Sequence, residues 1–142
     1  PVFGICYGFQ AMAQALGGSV ARTGLSEFGG TAVRVIEPGL LFAAVPTSLS
    51  VWMSHGDSVS AAPAGFTVTA ESDGAPVAAF EDAGRCMAGV QFHPESILTE
   101  GGHRMLANWL AFCGTAPPEE LVRRLEDEVA GAVQAATTRS SA

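Results

Sequence analysis

The pentapeptide Gly4-Ile5-Cys6-Tyr7-Gly8 constrains this chain more than any other stretch. Before it, Pro1 to Ile5 reads as a short apolar strand. After it, Phe9, Met12, Ala13 and Leu16 recur at i, i+3, i+4 and i+7, the spacing of one apolar helix face. Gly17-Gly18 then supplies the left-handed stop that commonly ends a helix. A cysteine between glycines on a strand-to-helix turn is the nucleophile-elbow pattern with Cys in place of Ser. The turn is sharp, so side chains at the two glycine positions are expected to collide with their surroundings. It sets Cys6 beside a helix N-terminus, whose partial positive charge favours thiolate over thiol. The backbone N–H of Tyr7 would point at the oxyanion of an acyl intermediate. Taken alone, the pattern fits a structural cysteine in a Gly-rich turn equally well, so a base has to be found.

The chain has three histidines. His103 opens a surface helix and reads as solvated. His55 lies in Trp52-Met53-Ser54-His55-Gly56-Asp57, just after a strand, where a binding loop is expected. His93 follows the strand ending Gly89-Val90-Gln91-Phe92 and precedes Pro94-Glu95. In an extended segment residues two apart face the same way, and Pro94 stiffens it, so Glu95 is placed to orient the imidazole. That yields nucleophile, base and orienter in the order Cys6, His93, Glu95.

Composition limits the alternatives. Hydrophobic residues make up 48% and charged residues 15% of 142, which is too apolar for a disordered chain. The formal net charge of −7 is unsuited to binding a phosphate backbone. All seven basic residues are Arg, so a Schiff-base or P-loop lysine is excluded among these residues. Cys6, Cys86 and Cys113 are odd in number and form no CxxC pair. With no signal-like or 18-residue apolar stretch, a reduced, cytoplasmic setting is expected. Cys86, read in a strand, and Cys113, at the end of an apolar helical stripe, are expected to be buried and inert. No His/Cys cluster has metal-ligand spacing, so no metal is expected.

Between the two blocks the chain reads as β-rich, with strands at 31–36, 50–53, 66–70, 77–80 and 86–92. Thr99 reads as the N-cap of a helix from about Glu100 to Cys113, ended by Gly114. After Thr115-Ala116-Pro117-Pro118 comes a second amphipathic helix, 115–136 as a segment. Its apolar face is Leu121, Val122, Leu125, Val129 and Val133, and Glu119–Arg123 and Glu120–Arg124 stand at i, i+4. Its acids read as a solvated face. Residues 137–142 read as a polar, disordered tail.

Gly4-Ile5-Cys6-Tyr7-Gly8-Phe9-Gln10 and Gly89-Val90-Gln91-Phe92-His93-Pro94-Glu95 together resemble the two signature blocks of class I glutamine amidotransferases. The resemblance covers residues 1–114. It implies an α/β fold with a flavodoxin-like open sheet, the elbow helix on one face, and the site at the C-terminal end of the elbow strand. It further implies that Cys6 attacks the glutamine side-chain amide. His93 then protonates the departing ammonia and activates water, and Glu95 orients His93. Tyr7, Gly8, Gln10 and His55-Gly56-Asp57 fall where that family holds its substrate glutamine.

Within the family, residues 1–92 are similar to the amidotransferase domains of GMP synthases, through Cys6 to Gln14, Ser26-Glu27-Phe28-Gly29 and Trp52 to Asp57. Ser26 stands where those domains typically carry Arg. Residues 93–113 are similar to the glutaminase subunits of anthranilate and aminodeoxychorismate synthases, although those usually carry a Cys-Leu-Gly elbow. The middle block favours the GMP synthase resemblance. It implies L-glutamine as substrate, and an ATP-pyrophosphatase synthetase domain as partner that itself handles ATP and Mg. A chorismate-utilising subunit is the alternative partner, and an inactive docking module the alternative of another class. A peptidase on the same scaffold is disfavoured by the 53–57 loop.

The family also places a βα-rich portion before the elbow, with a Gly-rich loop that gives a second oxyanion donor. These residues do not include it, so the expectation is an N-terminally incomplete domain with one edge of Val2–Ile5 unpaired. Loss of one such donor typically costs about 100–1,000-fold in turnover, so weak glutamine hydrolysis is expected of the 142 residues alone.

Overall fold

A computed structural model describes residues 1–141. The elements run β1 (Val2–Ile5), α1 (Tyr7–Ala15), β2 (Ser19–Val35), β3 (Ser48–Ala61), β4 (Thr67–Ser72), β5 (Ala75–Asp82), a 3-10 turn (Ala83–Arg85), β6 (Met87–Val90), α2 (Gly102–Phe112) and α3 (Glu119–Ser141). The fold is α/β as expected. Six strands form one sheet in the order β1-β6-β5-β3-β2-β4, and β4 also pairs with β5, so the antiparallel part curls back on itself. The parallel pair is β1–β6, and β1 is the terminal strand of the order.

Two apolar clusters sandwich the sheet. Met105 and Trp109 of α2 pack with Val51, Met53, Ala88, Val90 and Phe92. Phe9 and Ala13 of α1 pack with Val59, Val77 and Phe80. Alternation along β1 and β6 explains the split: Phe3, Ile5, Ala88 and Val90 face the α2 cluster, while Gly4 and Gly89 face α1. These two glycines are directly paired. A Cβ on Gly89 would lie 2.7 Å from the Phe9 ring, and one on Gly4 would lie 2.5 Å from Met12 Sδ. The missing side chains therefore let α1 lie close to the sheet. The α1 stop forms as expected: Gly17 takes φ 94, and Gly17 and Gly18 N–H bond Gln14 and Ala13 carbonyls, a Schellman closure.

Several expectations shift. β2 and β3 are 17 and 14 residues long, well beyond the expected 31–36 and 50–53, because each completes the other's hydrogen bonds. Cys86 is not in a strand; it closes the 3-10 turn at φ 55 and is half-buried, and Cys113 is exposed. Thr99 does not cap α2, whose N-cap is Gly101. Helix α3 continues to Ser141 rather than ending at 136, and the Thr137, Thr138 and Ser140 hydroxyls fold back onto carbonyls one turn earlier. Ala142 of the expected tail lies outside the described residues.

The acidic face of α3 is not wholly solvated either. Arg104 of α2 grips Glu119 (Nη1–Oε2 2.9 Å, Nη2–Oε1 2.7 Å) and Glu126 (Nε–Oε1 2.8 Å). The Glu119–Arg123 pair forms at 3.6 Å, whereas Glu120–Arg124 is not among the ion pairs of the described residues. No helix among the described residues is long and apolar enough to cross a membrane.

Candidate active site

Cys6 sits directly after β1 at φ 54, ψ −108, a left-handed region costly for any residue with a side chain. Its N–H still bonds Val90 O (3.0 Å), so the β1–β6 ladder runs right up to the turn, and Gln10 N–H then donates to Cys6 O (3.1 Å) to begin the helix. The collision expected at Gly4 is real; at Gly8 a Cβ would meet nothing within 4 Å, so this second glycine is not required by crowding.

The thiol faces a cleft of about 200 Å³ lined by Cys6, Tyr7, Gln10, Ser54, His55, Gly56 and Asp57. Two larger hollows, about 290 and 360 Å³, lie under α3 and contain neither cysteine nor histidine. Cys6 Sγ donates to Ser54 O (3.5 Å) and accepts from Gln91 Nε2 (3.8 Å). Burial pushes the Cys6 thiol above its ordinary value. The Tyr7 N–H and Gln91 pull it down by less, and the charge of Glu95 raises it further. Desolvation thus works against the thiolate that the helix N-terminus favours, in keeping with the need for a base. The Tyr7 phenol is exposed.

His93 Nδ1 lies 2.7 Å from Glu95 Oε1. A carboxylate accepts, so Nδ1 carries the hydrogen and Nε2 remains as the ring's acceptor. The pair forms through a turn, not an extended segment: Ser96 N–H closes onto His93 O at 3.2 Å. His93 is held at both backbone ends, by Trp52 O on its N–H (3.0 Å) and by the Thr99 hydroxyl on its carbonyl (2.6 Å). Thr99 in turn accepts Trp52 N–H at 3.0 Å, which is the work it does in place of capping α2.

His55-Gly56-Asp57 is not a loop but part of β3, paired with β2 as Glu27↔His55 and Arg22↔Asp57. The register shifts between Arg22 and Glu27, so the strand pair bulges at the cleft wall. The His55 side chain is 1% exposed. Nδ1 donates to Asp57 O (2.9 Å), and Nε2 lies 2.8 Å from Glu27 Oε1, so a second proton occupies that bond. Glu27 is completed by the Ser72 hydroxyl (2.8 Å) and Gly74 N–H (3.0 Å). His55 thus lines the cleft as a buried brace, whereas Gln10, Gly56 and Asp57 border it directly. Gln10 Nε2 donates to Asp57 O (2.8 Å) and to Gln91 Oε1 (3.1 Å).

Sequence reasoning assigns no role to Gln91, Glu27, Ser54 or Trp52. The available signal is polarity: Gln91 interrupts an apolar strand end, and a buried amide requires partners. His103, expected to be solvated, is half-buried with its Nδ1 enclosed and unpaired among the described residues.

Residues 1–112 match the family model for glutamine amidotransferase class-I. The chain is 52% identical over 131 residues to a GMP synthase [glutamine-hydrolyzing] of Thermobifida fusca, covering 92% of this chain and 25% of that one. It is 58% identical over 110 residues to the enzyme of the same name from Nocardia farcinica, covering 78% and 21%. It thus spans about a quarter of these curated relatives. Among solved structures, a candidate GMP synthase subunit from Thermoplasma acidophilum superposes with a TM-score of 0.77 at 34% identity, over 80% of this chain and 57% of that one. A glutamine amidotransferase from Thermotoga maritima gives 0.64 at 27%, over 95% and 56%. With the match to residues 1–112 spanning both the cysteine elbow and the His93–Glu95 turn, the chain belongs to the class I glutamine amidotransferase family.

Proposed function

We propose that this chain hydrolyses L-glutamine through a γ-glutamyl thioester on Cys6 and delivers the ammonia to a synthetase, for amination of XMP to GMP. The observation that carries the reading is Cys6 on its strained elbow, opening onto a cleft bordered by Gln10, Gly56 and Asp57. In this mechanism His93 Nε2 takes the thiol proton as Sγ adds to the side-chain amide carbon. It then returns that proton to the leaving ammonia as the thioester forms. His93 next deprotonates water, which attacks the thioester carbon; the C–S bond breaks, glutamate leaves, and the proton on His93 returns to Cys6 Sγ. Glu95 holds the ring in the tautomer this needs. The Tyr7 N–H, which follows the nucleophile at the start of α1, serves as an oxyanion donor.

Both Gln10 amide hydrogens are committed to Asp57 O and Gln91 Oε1, which leaves Gln10 Oε1 to accept from the substrate's ammonium group. The GMP synthase assignment rests on the relatives at 52% and 58% identity and takes precedence over a chorismate-linked partner. The synthetase partner would bind ATP and Mg, and the cellular setting would be cytoplasmic.

Covalent trapping tests the reading. A glutamine-analogue electrophile is expected to add once, to Cys6, and the adduct to disappear in Cys6→Ser. Absence of an adduct on the folded chain supports the docking-module alternative instead.

A further inference from the structure

We propose that Gln91 is a catalytic residue of this site: its side-chain N–H stabilises the Cys6 thiolate, in an orientation dictated by the Asp57 carbonyl. The polarity of the network follows from one fixed acceptor. A backbone carbonyl only accepts, so the group of Gln10 that lies 2.8 Å from Asp57 O is its NH2. The second hydrogen of that NH2 meets Gln91 at 3.1 Å, so the Gln91 atom there is the carbonyl oxygen. The remaining end of Gln91, 3.8 Å from Cys6 Sγ, is therefore its NH2. A flipped Gln91 would set two NH2 groups against each other. The Asp57 carbonyl is itself held by His55 Nδ1–H, whose ring is braced on Glu27.

Gln91 is fully buried, and its backbone N–H bonds Ala78 O at 2.8 Å, so the amide has a rigid mount. A thiol needs no donor; it gives its own hydrogen to Ser54 O. A thiolate loses that bond and gains from any N–H aimed at it, and bonds to charged groups exceed neutral ones. Gln91 thus favours the reactive form against the desolvation that opposes it, and its other end ties the sulfur to the amide that borders the cleft. The ionisable groups around the thiol are Tyr7 on α1, His55 and Asp57 on β3, and Glu95 with its partner His93 after β6.

The proposal rests on Cys6 being the nucleophile of the reading above, but its test does not use glutamine. The rate of Cys6 alkylation by iodoacetamide is followed against pH by peptide mass spectrometry, with exposed Cys113 as internal reference. In Gln91→Met, which keeps volume and loses the donor, Cys6 is expected to alkylate about tenfold more slowly at neutral pH, with its profile moved to higher pH. Gln91→Glu, which keeps the acceptor toward Gln10 but adds negative charge beside the sulfur, is expected to slow it further. Cys113 should be unchanged in both. A Cys6 profile unmoved in folded Gln91→Met overturns the proposal, as does Gln91→Glu reacting no more slowly than Gln91→Met. Failure of analogue trapping in the parent chain alongside the expected alkylation order would remove the glutaminase reading and leave the Gln91–thiolate bond standing.

Discussion

Glu27 and Glu81 are both buried acids, and their surroundings treat them differently. Glu27 accepts from His55, Ser72 and Gly74, and Gly74 is glycine because a Cβ there would lie 2.7 Å from the Glu27 side chain. Glu81 on β5 accepts Leu40 N–H through Oε1 (2.8 Å), while its Oε2 is enclosed without a partner among the described residues. Burial lifts the Glu81 carboxyl above its ordinary 4.5, the Leu40 and Leu41 N–H groups lower it by less, and the charge of Glu37 adds to the rise. The folded value lies above the unfolded one. The linked stability is therefore fully present below the unfolded value and is lost as pH rises through the folded one. Glu81→Gln keeps an acceptor for Leu40 and has no charge to bury. Its Tm is expected to exceed the parent's at neutral pH, with the gap closing on acidification; thermal melts between about pH 4 and pH 8 check this. At this scale the sequence exposed what is local. The Cys6 elbow and the His93–Glu95 pair are short-range patterns and could be read directly. The side-chain partners of Gln91, and the Glu27 partner of His55, lie tens of residues away in sequence, so polarity alone could not name them.

Among the elements, the β1–β6 pair and α1 form the mechanical base of the cleft. Gly4 and Gly89 are paired and face Phe9, whose ring packs on Phe80 at 4.4 Å between centroids. Gly89→Ala forces a Cβ to 2.7 Å from Phe9 and 3.1 Å from Gly4 O, overpacking a backbone-lined slot. A loss of about 1–3 kcal/mol is expected, measured by urea unfolding, together with slower trapping of Cys6 as α1 is pushed outward. The α1 helix was legible because its apolar period and its Gly-Gly stop are both local. The long β2–β3 ribbon was not. Its Gly29-Gly30 and His55-Gly56-Asp57 stretches have turn-like composition, and only pairing with the opposite strand keeps them extended. The same pairing converts an expected binding loop into a bulged strand wall, which fixes Asp57 O more firmly than a loop would.

Across the whole molecule, α3 lies beyond the family match and is attached differently from the rest. Val122 and Val129 are buried, yet hollows remain under the helix, and the Arg104 fork to Glu119 and Glu126 is its polar anchor. Removing the fork by Arg104→Ala is expected to speed amide exchange along α3 several-fold while Cys6 trapping is unchanged; loss of trapping would show that α3 supports the cleft. The β1–β6 pairing also has a temporal side. Cys6 and Gln91 stand 85 residues apart, and the only strand that completes β1 among the described residues is β6. Such non-local closure is slow, because the intervening ribbon must order before the contact rewards it. During synthesis Cys6 therefore leaves the ribosome 85 residues ahead of Gln91. The bond from Gln91 to its sulfur forms only after Gln91 has been made, so the reactivity of Cys6 toward alkylating agents reports completion of the fold.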